Sequence, residues 1–344
     1  MDVTAHTSSV PAPALPNEAV AKRAPSQHGL ACLWLVITTI LWGASFPLIK
    51  SILLKQQLIL PDTNSAFFAA LMAVVRFGIA GVIMAIVCIR TLPSLTRKEF
   101  QQGVSLAFFG GVGILLQMDG LAHTHASTSA FLTQFYCLIL PVWVAVKSRS
   151  WPGTPVIISS VLVLTGAAIL SGVDFNNLTI KRGELETLLA AVFFTGQILC
   201  LDNPKYAQNR AGNFTVIMFA LTALLNLPLA LALAPDSSAL TKCYADAPVI
   251  VMMLVLVLVC TVAAYMLMNL WQRHVTPTQA GIIYCLEPVA ASGFALFMPA
   301  LLSSFASVTY ANERLTGTLL TGGLLILAAN IFIQLKAPAG REPQ

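Results

Sequence analysis

The sequence carries very little charge. Only 10% of its 344 residues are Asp, Glu, Lys or Arg, whereas an ordinary soluble domain has about 25%. Hydrophobic residues make up 57% of the chain. This balance excludes a soluble globular enzyme and a disordered chain, because both need a polar or charged surface. It also excludes a nucleic-acid-binding domain, which needs a basic face. The composition indicates a membrane protein whose main partner is the lipid bilayer.

The sequence also lacks the motifs of several kinds of chemistry. Its seven cysteines form no CxxC pair and no Cys/His cluster with metal-ligand spacing, so we expect no disulfide framework and no metal site. It contains no GxxxxGK[ST] loop, which argues against ATP coupling within this chain. The absence of HExxH and GxSxG motifs argues against an intramembrane enzyme. We therefore expect no catalytic residues and no cofactor.

Ten apolar runs are each long enough to cross a bilayer as a helix, which takes roughly 20 residues. They occupy 31–54, 66–90, 100–121, 126–147, 154–172, 183–203, 213–234, 248–271, 278–302 and 317–335. The sequence therefore predicts an all-α polytopic membrane protein with ten transmembrane helices. Residues 1–28, rich in Ala, Pro and polar residues, are expected to form a disordered cytoplasmic tail. Residues 337–344 are expected to form a short cytoplasmic tail at the other end.

The basic residues predict the orientation of the chain. If the N-terminus is inside, twelve fall on the inner side: Lys22, Arg23, Arg90, Arg97, Lys98, Lys147, Arg149, Lys205, Arg210, Arg273, Lys336 and Arg341. Six fall on the outer side: Lys50, Lys55, Lys181, Arg182, Lys242 and Arg314. This bias favours N- and C-termini that both lie in the cytoplasm. The expected location is the cell membrane, the inner membrane in a bacterial host.

An internal repeat joins two of the apolar runs. Residues 125–142 read HASTSAFLTQFYCLILPV and residues 274–289 read HVTPTQAGIIYCLEPV. Both contain Tyr-Cys-Leu followed by Pro-Val, and they fall in the fourth and ninth runs. Repeats that are five crossings apart must insert with opposite orientation, and inverted repeats are a recurrent design of transporters. We therefore predict two halves, 29–173 and 174–336.

The chain resembles the EamA-like branch of the drug/metabolite transporter superfamily. The residues that carry the resemblance are Leu41-Trp42-Gly43-Ala44-Ser45-Phe46, Arg76-Phe77, Leu116-Gln117-Met118-Asp119-Gly120-Leu121, Thr124, Ala126, Phe131, Leu286-Glu287-Pro288-Val289 and Asn312-Glu313-Arg314-Leu315-Thr316. The resemblance implies two inverted five-helix repeats around a central cavity and the movement of small polar metabolites, often outward. Two features depart from it. The stretch from Glu287 to Glu313 is longer than usual near 298–307, and the loop at 147–151 lacks a Glu-Arg pair.

Glu287 is the most informative single residue. It falls near the middle of a predicted span, where an ionised carboxylate costs roughly 2.5–3.5 kcal/mol on insertion scales. It must face water, pair with another group or bind a proton, so it is a candidate for proton coupling in a cavity. The alternative is a fixed pair that holds the helices together. Pro288 and Pro141 each leave one carbonyl without its helical donor, so both are candidate kinks beside the substrate or simple packing features.

The remaining candidates are polar or aromatic residues inside the apolar runs. Arg76 needs a partner in its span, and we favour a structural contact for it over a role as a countercharge. The candidate cavity residues are Trp42, Phe46, Gln117, Tyr136, Gln197, Asn269, Tyr284 and Glu287. Their rings could hold a cation and their amides could bind substrate. The alternatives are lipid contact for the rings and helix association for the amides.

These features favour a secondary transporter, most simply an exporter, of a small amino-acid-like or related metabolite. It would work by alternating access, and either a proton gradient or substrate exchange would drive it. The alternative is a channel or a non-transporting membrane receptor. A channel is expected to carry a repeated filter or a ring of charges, and an inverted repeat favours a carrier instead. Substrate, direction, coupling and oligomeric state stay open at this point.

Overall fold

The computed structural model describes residues 25–124, 126–171 and 181–336. The regular structure of these residues is entirely helical. The helices of the first half are α1 (Pro25–Ile59), α2 (Ser65–Val87), α3 (Arg97–His123), α4 (Ala126–Thr133), α5 (Tyr136–Ser148) and α6 (Thr154–Ser171). Those of the second half are α7 (Arg182–Asp202), α8 (Ala211–Ala232), α9 (Ala239–Lys242), α10 (Ala247–Val257), α11 (Ala264–Trp271), α12 (Pro277–Tyr284), α13 (Glu287–Ala295), α14 (Met298–Ala306) and α15 (Gly317–Lys336). A π-helical segment, Leu258–Ala263, joins α10 to α11.

Six helices of the described chain are long and apolar enough to cross a membrane: α1, α2, α3, α7, α8 and the continuous helix formed by α10 and α11. Helices α12 and α13 together with α14 form a further apolar pair, bent by 59°. Helices α5, α6 and α15 are shorter and also apolar. The protein is therefore an all-helical, multi-pass membrane protein.

Helix α3 is fixed at both ends by charged groups. At its start Thr96 and Glu99 form a capping box, in which the Thr96 hydroxyl accepts from the Glu99 N–H at 3.1 Å and Glu99 accepts from the Thr96 N–H at 2.8 Å. Glu99 also pairs with Arg210, just before α8, at 2.7 Å. Near the other end Asp119 accepts a hydrogen bond from Arg182 at the start of α7. These contacts hold α3 against the second half of the chain.

Two of the apolar runs are broken in ways that the sequence did not predict. The run at 126–147 contains two helices, α4 and α5, separated at residues 134–135. Helix α5 continues through Pro141, so the break precedes this proline. The carbonyl of Cys137, which Pro141 leaves without a helical donor, accepts from the Ser160 hydroxyl of α6 at 3.2 Å. A side chain from a neighbouring helix thus satisfies the carbonyl, as is usual for proline within a bundle.

The run at 278–302 is broken twice. Residues 285–286 separate α12 from α13, and Pro288 lies in the first turn of α13, where proline is well tolerated. After α14 the chain folds back onto the same segment: Asn312 caps the Ala300 N–H at 2.7 Å, and the Ser303 hydroxyl donates to the Tyr310 carbonyl at 2.7 Å. Burial against this turn raises the pKa of Tyr310 to about 12. These contacts account for the long stretch before α15.

Helices α1 and α13 approach each other closely at a glycine. A Cβ atom on Gly43 would lie 2.6 Å from the Ala290 Cβ and 2.8 Å from the Ala291 backbone nitrogen. Only glycine permits this approach, because real Cβ atoms do not come so close to backbone atoms. The contact brings Trp42, next to Gly43, beside the break that precedes α13.

Parts of the predicted tails, halves and repeat lie outside the described residues. These are residues 1–24, His125, 172–180 and 337–344. Helix α1 begins at Pro25, so residues 25–28, which were expected to belong to the disordered tail, are helical. The expected C-terminal tail and the expected boundary between the halves both fall outside the described chain.

Candidate functional site

A cavity lies where helices of both halves meet. The space open to the centre of a water molecule is about 60 Å³, enough for a few waters or part of a small solute. Its walls are Trp42, Ser45, Phe46, Ile49, Arg76, Ile114, Gln117, Met118, Leu121, Thr133, Tyr136, Phe194, Gln197, Ile198, Tyr265, Met268, Tyr284 and Glu287. Most of this lining is apolar or aromatic, and a few polar groups converge on it, as in small-molecule sites in general.

Seven of the eight candidate residues line this cavity: Trp42, Phe46, Gln117, Tyr136, Gln197, Tyr284 and Glu287. The eighth, Asn269, stands apart from the lining. Its Nδ2 donates to the Thr215 hydroxyl at 2.8 Å, and both residues are buried. Asn269 therefore joins α11 to α8, which corresponds to the helix-association alternative for this residue.

Arg76 is held by the π-helical segment. Its Nε donates to the Thr261 hydroxyl at 2.6 Å and its Nη2 donates to the Cys260 carbonyl at 3.3 Å. The guanidinium also lies over the Phe77 ring, 5.3 Å from the centroid. A π-helical turn exposes carbonyls that an α-helix would use itself, and such turns often occur at functional sites. Arg76 thus combines the expected structural contact with a position on the cavity wall.

Glu287 is buried, with 8% of its surface exposed. It interacts electrostatically with Arg76. Arg76 and Glu287 form no close ion pair within the described residues, although both line the cavity. A cation and an anion that share one cavity without closing on each other leave both groups able to contact a solute.

Two N–H donors on the cavity wall have no partner among the described residues. They are Trp42 Nε1 and Gln197 Nε2, both buried. An unsatisfied buried donor costs about 1–3 kcal/mol, so each is suited to bind an acceptor that enters the cavity. Gly110 makes room for Gln197, since a Cβ there would lie 3.1 Å from the Gln197 amide.

The tyrosines of the two repeat motifs stand in similar settings. Tyr136 donates to the Gln134 amide oxygen at 2.9 Å and Tyr284 donates to the Gln272 amide oxygen at 2.9 Å. The centroid of the Trp42 ring lies 5.3 Å from the centroid of the Tyr284 ring. The aromatic wall is therefore built from both halves and fixed by buried amides.

Sequence reasoning did not single out Thr133, whose side chain lies on the cavity wall. The next residue, Gln134, lies in a break that no turn signal marked. Gln117, which was predicted, donates to the Thr133 hydroxyl at 3.1 Å. Asp119 lies outside the cavity lining, where it accepts from the Ser65 hydroxyl at 2.7 Å, pairs with Arg182 and lies 4.0 Å from His123 Nε2. Within the described part of the chain no cluster of three or more His, Cys, Asp or Glu could hold a metal ion.

Comparison with known proteins finds a sequence similarity to a transporter and a structural similarity to a protein of known crystal structure. No protein-family model matches the chain. An uncharacterized transporter of Archaeoglobus fulgidus is 28% identical over 315 residues, which cover 89% of this chain and 86% of that protein. A protein of known crystal structure matches with a TM-score of 0.65 at 13% identity, covering 90% of this chain and 98% of that chain. The first similarity spans nearly the whole chain, and the second establishes a common fold.

Proposed function

We propose that this protein is a secondary membrane transporter that moves a small polar metabolite through the central cavity by alternating access. The observation that carries the proposal is the cavity itself, which combines a buried carboxylate, a buried guanidinium and unpartnered donors within a multi-pass membrane protein. The similarity to an uncharacterized archaeal transporter supports the same function.

The proposed architecture has ten crossings in two inverted halves, 29–173 and 174–336. The crossings beyond the six long helices are α4 with α5, α6, α12 to α14, and α15. The packing supports this proposal. Two pairs consist of helices five crossings apart, α2 with α8 and α6 with α15, and two further pairs correspond to each other, α3 with α7 and α10–α11 with α1. Each pairing is preserved when every helix is exchanged for the one five crossings away, as a two-fold axis in the membrane plane requires.

The proposed substrate carries both an oxygen acceptor and a cationic group. Trp42 Nε1 and Gln197 Nε2 bond to no other group in the part of the chain that the structure describes, and they suit a carboxylate together with the Arg76 guanidinium. Glu287 and the faces of the tyrosine rings suit an ammonium group. An amino acid or a related compound fits this arrangement, and the small size of the cavity favours a compact one.

Glu287 is the proposed coupling residue. A carboxylate in this position must bind a proton or a cation when the cavity closes, because an isolated charge in the membrane interior is costly. Proton binding that alternates with substrate binding would couple export to the inward proton gradient. The termini are proposed to face the cytoplasm of the cell, in the inner membrane of a bacterial host.

Transport by the purified protein in proteoliposomes tests the proposal. A panel of radiolabelled amino acids and related compounds is offered with and without a pH gradient. We expect saturable flux of at least one compound, accelerated by the gradient, and Glu287→Gln should abolish the acceleration. Glu313→Gln changes an exposed carboxylate in the loop before α15 and should leave it intact. Discrete current steps in planar bilayers, or an unchanged gradient effect in Glu287→Gln, would contradict the proposal.

A further inference from the structure

The cavity lies between two groups of helices. Helix α1 packs mainly on α13 and α11, whereas α3 packs mainly on α7 and α8. Residues of α1, α11 and α13 form one part of the cavity wall, and residues of α3 and α7 form another. Separation of the two groups at either end would therefore expose the cavity.

Lys50 joins the two groups at one end of the cavity. It follows Ile49, a lining residue of α1, and its Nζ donates to the Leu121 carbonyl of α3 at 3.2 Å. Leu121 also lines the cavity and lies in the last turn of α3, where carbonyls have no donor within the helix. The positive charge is favoured there by the helix dipole. The contact therefore stabilises the closure of this end.

Gln272 joins the same two groups in a second place. It is buried in the turn that follows α11, and its Nε2 donates to the Ile198 carbonyl of α7 at 2.8 Å. Ile198 lines the cavity. The Oε1 of Gln272 accepts from the hydroxyl of Tyr284, another lining residue, at 2.9 Å. This contact is thus connected directly to a side chain of the cavity wall.

The two contacts lie at opposite ends of the cavity. Trp271, next to Gln272, stacks on Trp34 of α1 with 6.4 Å between the ring centroids. Lys50 is sixteen residues further along α1, a rise of about 24 Å. The lining residues of α1, which fall within 42–49, lie between these two positions. Each end is therefore closed by a side chain that donates to a carbonyl of the opposing group.

The two contacts are also equivalent in the proposed repeat. The exchange of halves relates α1 to α7 and α3 to the helix formed by α10 and α11. A contact between α1 and α3 at one end then corresponds to a contact between α7 and α11 at the other. The donors differ in charge, since Lys50 is cationic and Gln272 is neutral.

We propose that Lys50 and Gln272 are gating residues, so that breaking one contact opens the cavity to one side of the membrane and breaking the other opens it to the opposite side. The inference rests on the proposed function, since it assigns the two closures that alternating access requires. In the proposed orientation the Lys50 contact faces outside and the Gln272 contact faces the cytoplasm. A solute that draws the Tyr284 hydroxyl into the cavity removes the bond that orients the Gln272 amide, which links binding to opening.

Other hydrogen bonds near Gln272 do not replace its contact. Asn269 donates to the Thr215 hydroxyl at 2.8 Å, and Arg273 donates to the Asn209 carbonyl at 3.4 Å. All four of these residues lie outside the cavity lining, and all are retained when Gln272 is changed. A change of access in a Gln272 variant therefore reports the amide contact itself.

Accessibility of the cavity from each face tests the two gates without knowledge of the substrate. Ser45 lines the cavity, so Ser45→Cys in an otherwise cysteine-free chain reports access to a membrane-impermeant maleimide in vesicles of known orientation. Lys50→Met should raise the labelling rate from the outer face about tenfold, which corresponds to the loss of one hydrogen bond. Gln272→Met should raise the rate from the cytoplasmic face by a similar factor. Lys50→Arg, which keeps a charged donor, should retain the original rates.

Each gate has a matched control. Lys55 lies on the same helix as Lys50 but pairs with Asp246, just before α10, at 3.4 Å. Gln102 is buried like Gln272 but bonds to Asn209 at 2.8 Å, outside the cavity lining. Lys55→Met and Gln102→Met should leave both labelling rates unchanged.

The direction of the two effects decides the proposal. Acceleration from the same face in Lys50→Met and Gln272→Met, or an unchanged rate in either variant, would overturn the assignment of the gates. Acceleration from opposite faces, in a protein that moves no compound in proteoliposomes, would instead refute the proposed function and leave the two closures standing.

Discussion

Where α5 and α12 pack together at Leu140 and Gly281, Cys137 and Cys285 lie close enough to interact electrostatically, although the two residues belong to different halves of the chain. Each follows the tyrosine of the Tyr-Cys-Leu motif, so each is the counterpart of the other in the proposed repeat. Counterparts in a two-fold arrangement lie close together only near the axis. The proposed axis therefore runs close to these two cysteines, whose neighbours Tyr136 and Tyr284 line the cavity.

Cross-linking of the two thiols tests that placement. In a chain whose other five cysteines are replaced by alanine, oxidation should join Cys137 to Cys285 within one molecule, as detected by mass spectrometry of linked peptides. When the two halves exchange conformations, the distance between two residues on the axis stays the same. The cross-linked protein should therefore retain flux within about twofold. Cys137→Ala provides the uncross-linked control. Complete loss of transport that a reductant restores would place the axis elsewhere.

Trp42→Phe should weaken substrate binding. The change keeps an aromatic ring but removes the unpartnered Nε1–H, and loss of one hydrogen bond to a charged group corresponds to about a tenfold higher dissociation constant. Competition against a transported compound in proteoliposomes measures it. Trp34→Phe alters a tryptophan that stacks on Trp271 at 6.4 Å, outside the cavity lining, and should leave affinity unchanged. Equal affinities in the two variants would exclude Nε1 as a substrate donor.

Gly43→Ala should destabilise the protein by about 1–3 kcal/mol, because the new methyl group would overlap the backbone of α13. Gly293→Ala is the matched control, since a Cβ there meets nothing within 4 Å, and alanine favours a helix by up to about 1 kcal/mol. Thermal unfolding in detergent compares the two. If Gly43→Ala were as stable as Gly293→Ala, the close approach of α1 to α13 would be refuted.

Thr261→Val should cost about 1.5–3 kcal/mol of stability, since it removes the hydroxyl that binds the Arg76 Nε at 2.6 Å and leaves a buried charge without that partner. It should also lower the flux, because Arg76 would no longer be held on the cavity wall. Thr222→Val changes another buried threonine, on α8, that does not contact Arg76. Unfolding and transport assays on both variants separate the effect of losing the Thr261–Arg76 hydrogen bond from the effect of losing a buried hydroxyl in general.

The sequence was sufficient to predict the helical membrane fold and seven of the eighteen residues that line the cavity. Apolar runs mark the spans because the bilayer demands them, and a polar or aromatic residue within such a run must be explained by a cavity or a partner. That reasoning placed Trp42, Gln197 and Glu287 among the candidates. It included Asn269 as well, because composition alone does not distinguish a cavity amide from one that bonds to a neighbouring helix.

The details that organise the site depend on contacts between distant parts of the chain. Gln134 looks like any polar residue in a span, although it bonds to Ala130 and Tyr136 at the break between α4 and α5. The π-helical turn at Leu258–Ala263 has no signal in a uniformly apolar run, so the groups that hold Arg76 were unpredictable. The break at residues 134–135 precedes Cys137, whose carbonyl is the one that Pro141 leaves without a helical donor, so the proline does not mark its position.

Accessibility of the cavity from the two sides of the membrane tests alternating access most directly. Ser45 lines the cavity, and Ser45→Cys in a cysteine-free chain can be labelled with a membrane-impermeant maleimide in vesicles of known orientation. We expect labelling from either face, with substrate shifting the balance between them. Ser94→Cys, in the exposed loop between α2 and α3, should be labelled from one face only. Labelling of position 45 from a single face under every condition would contradict alternating access.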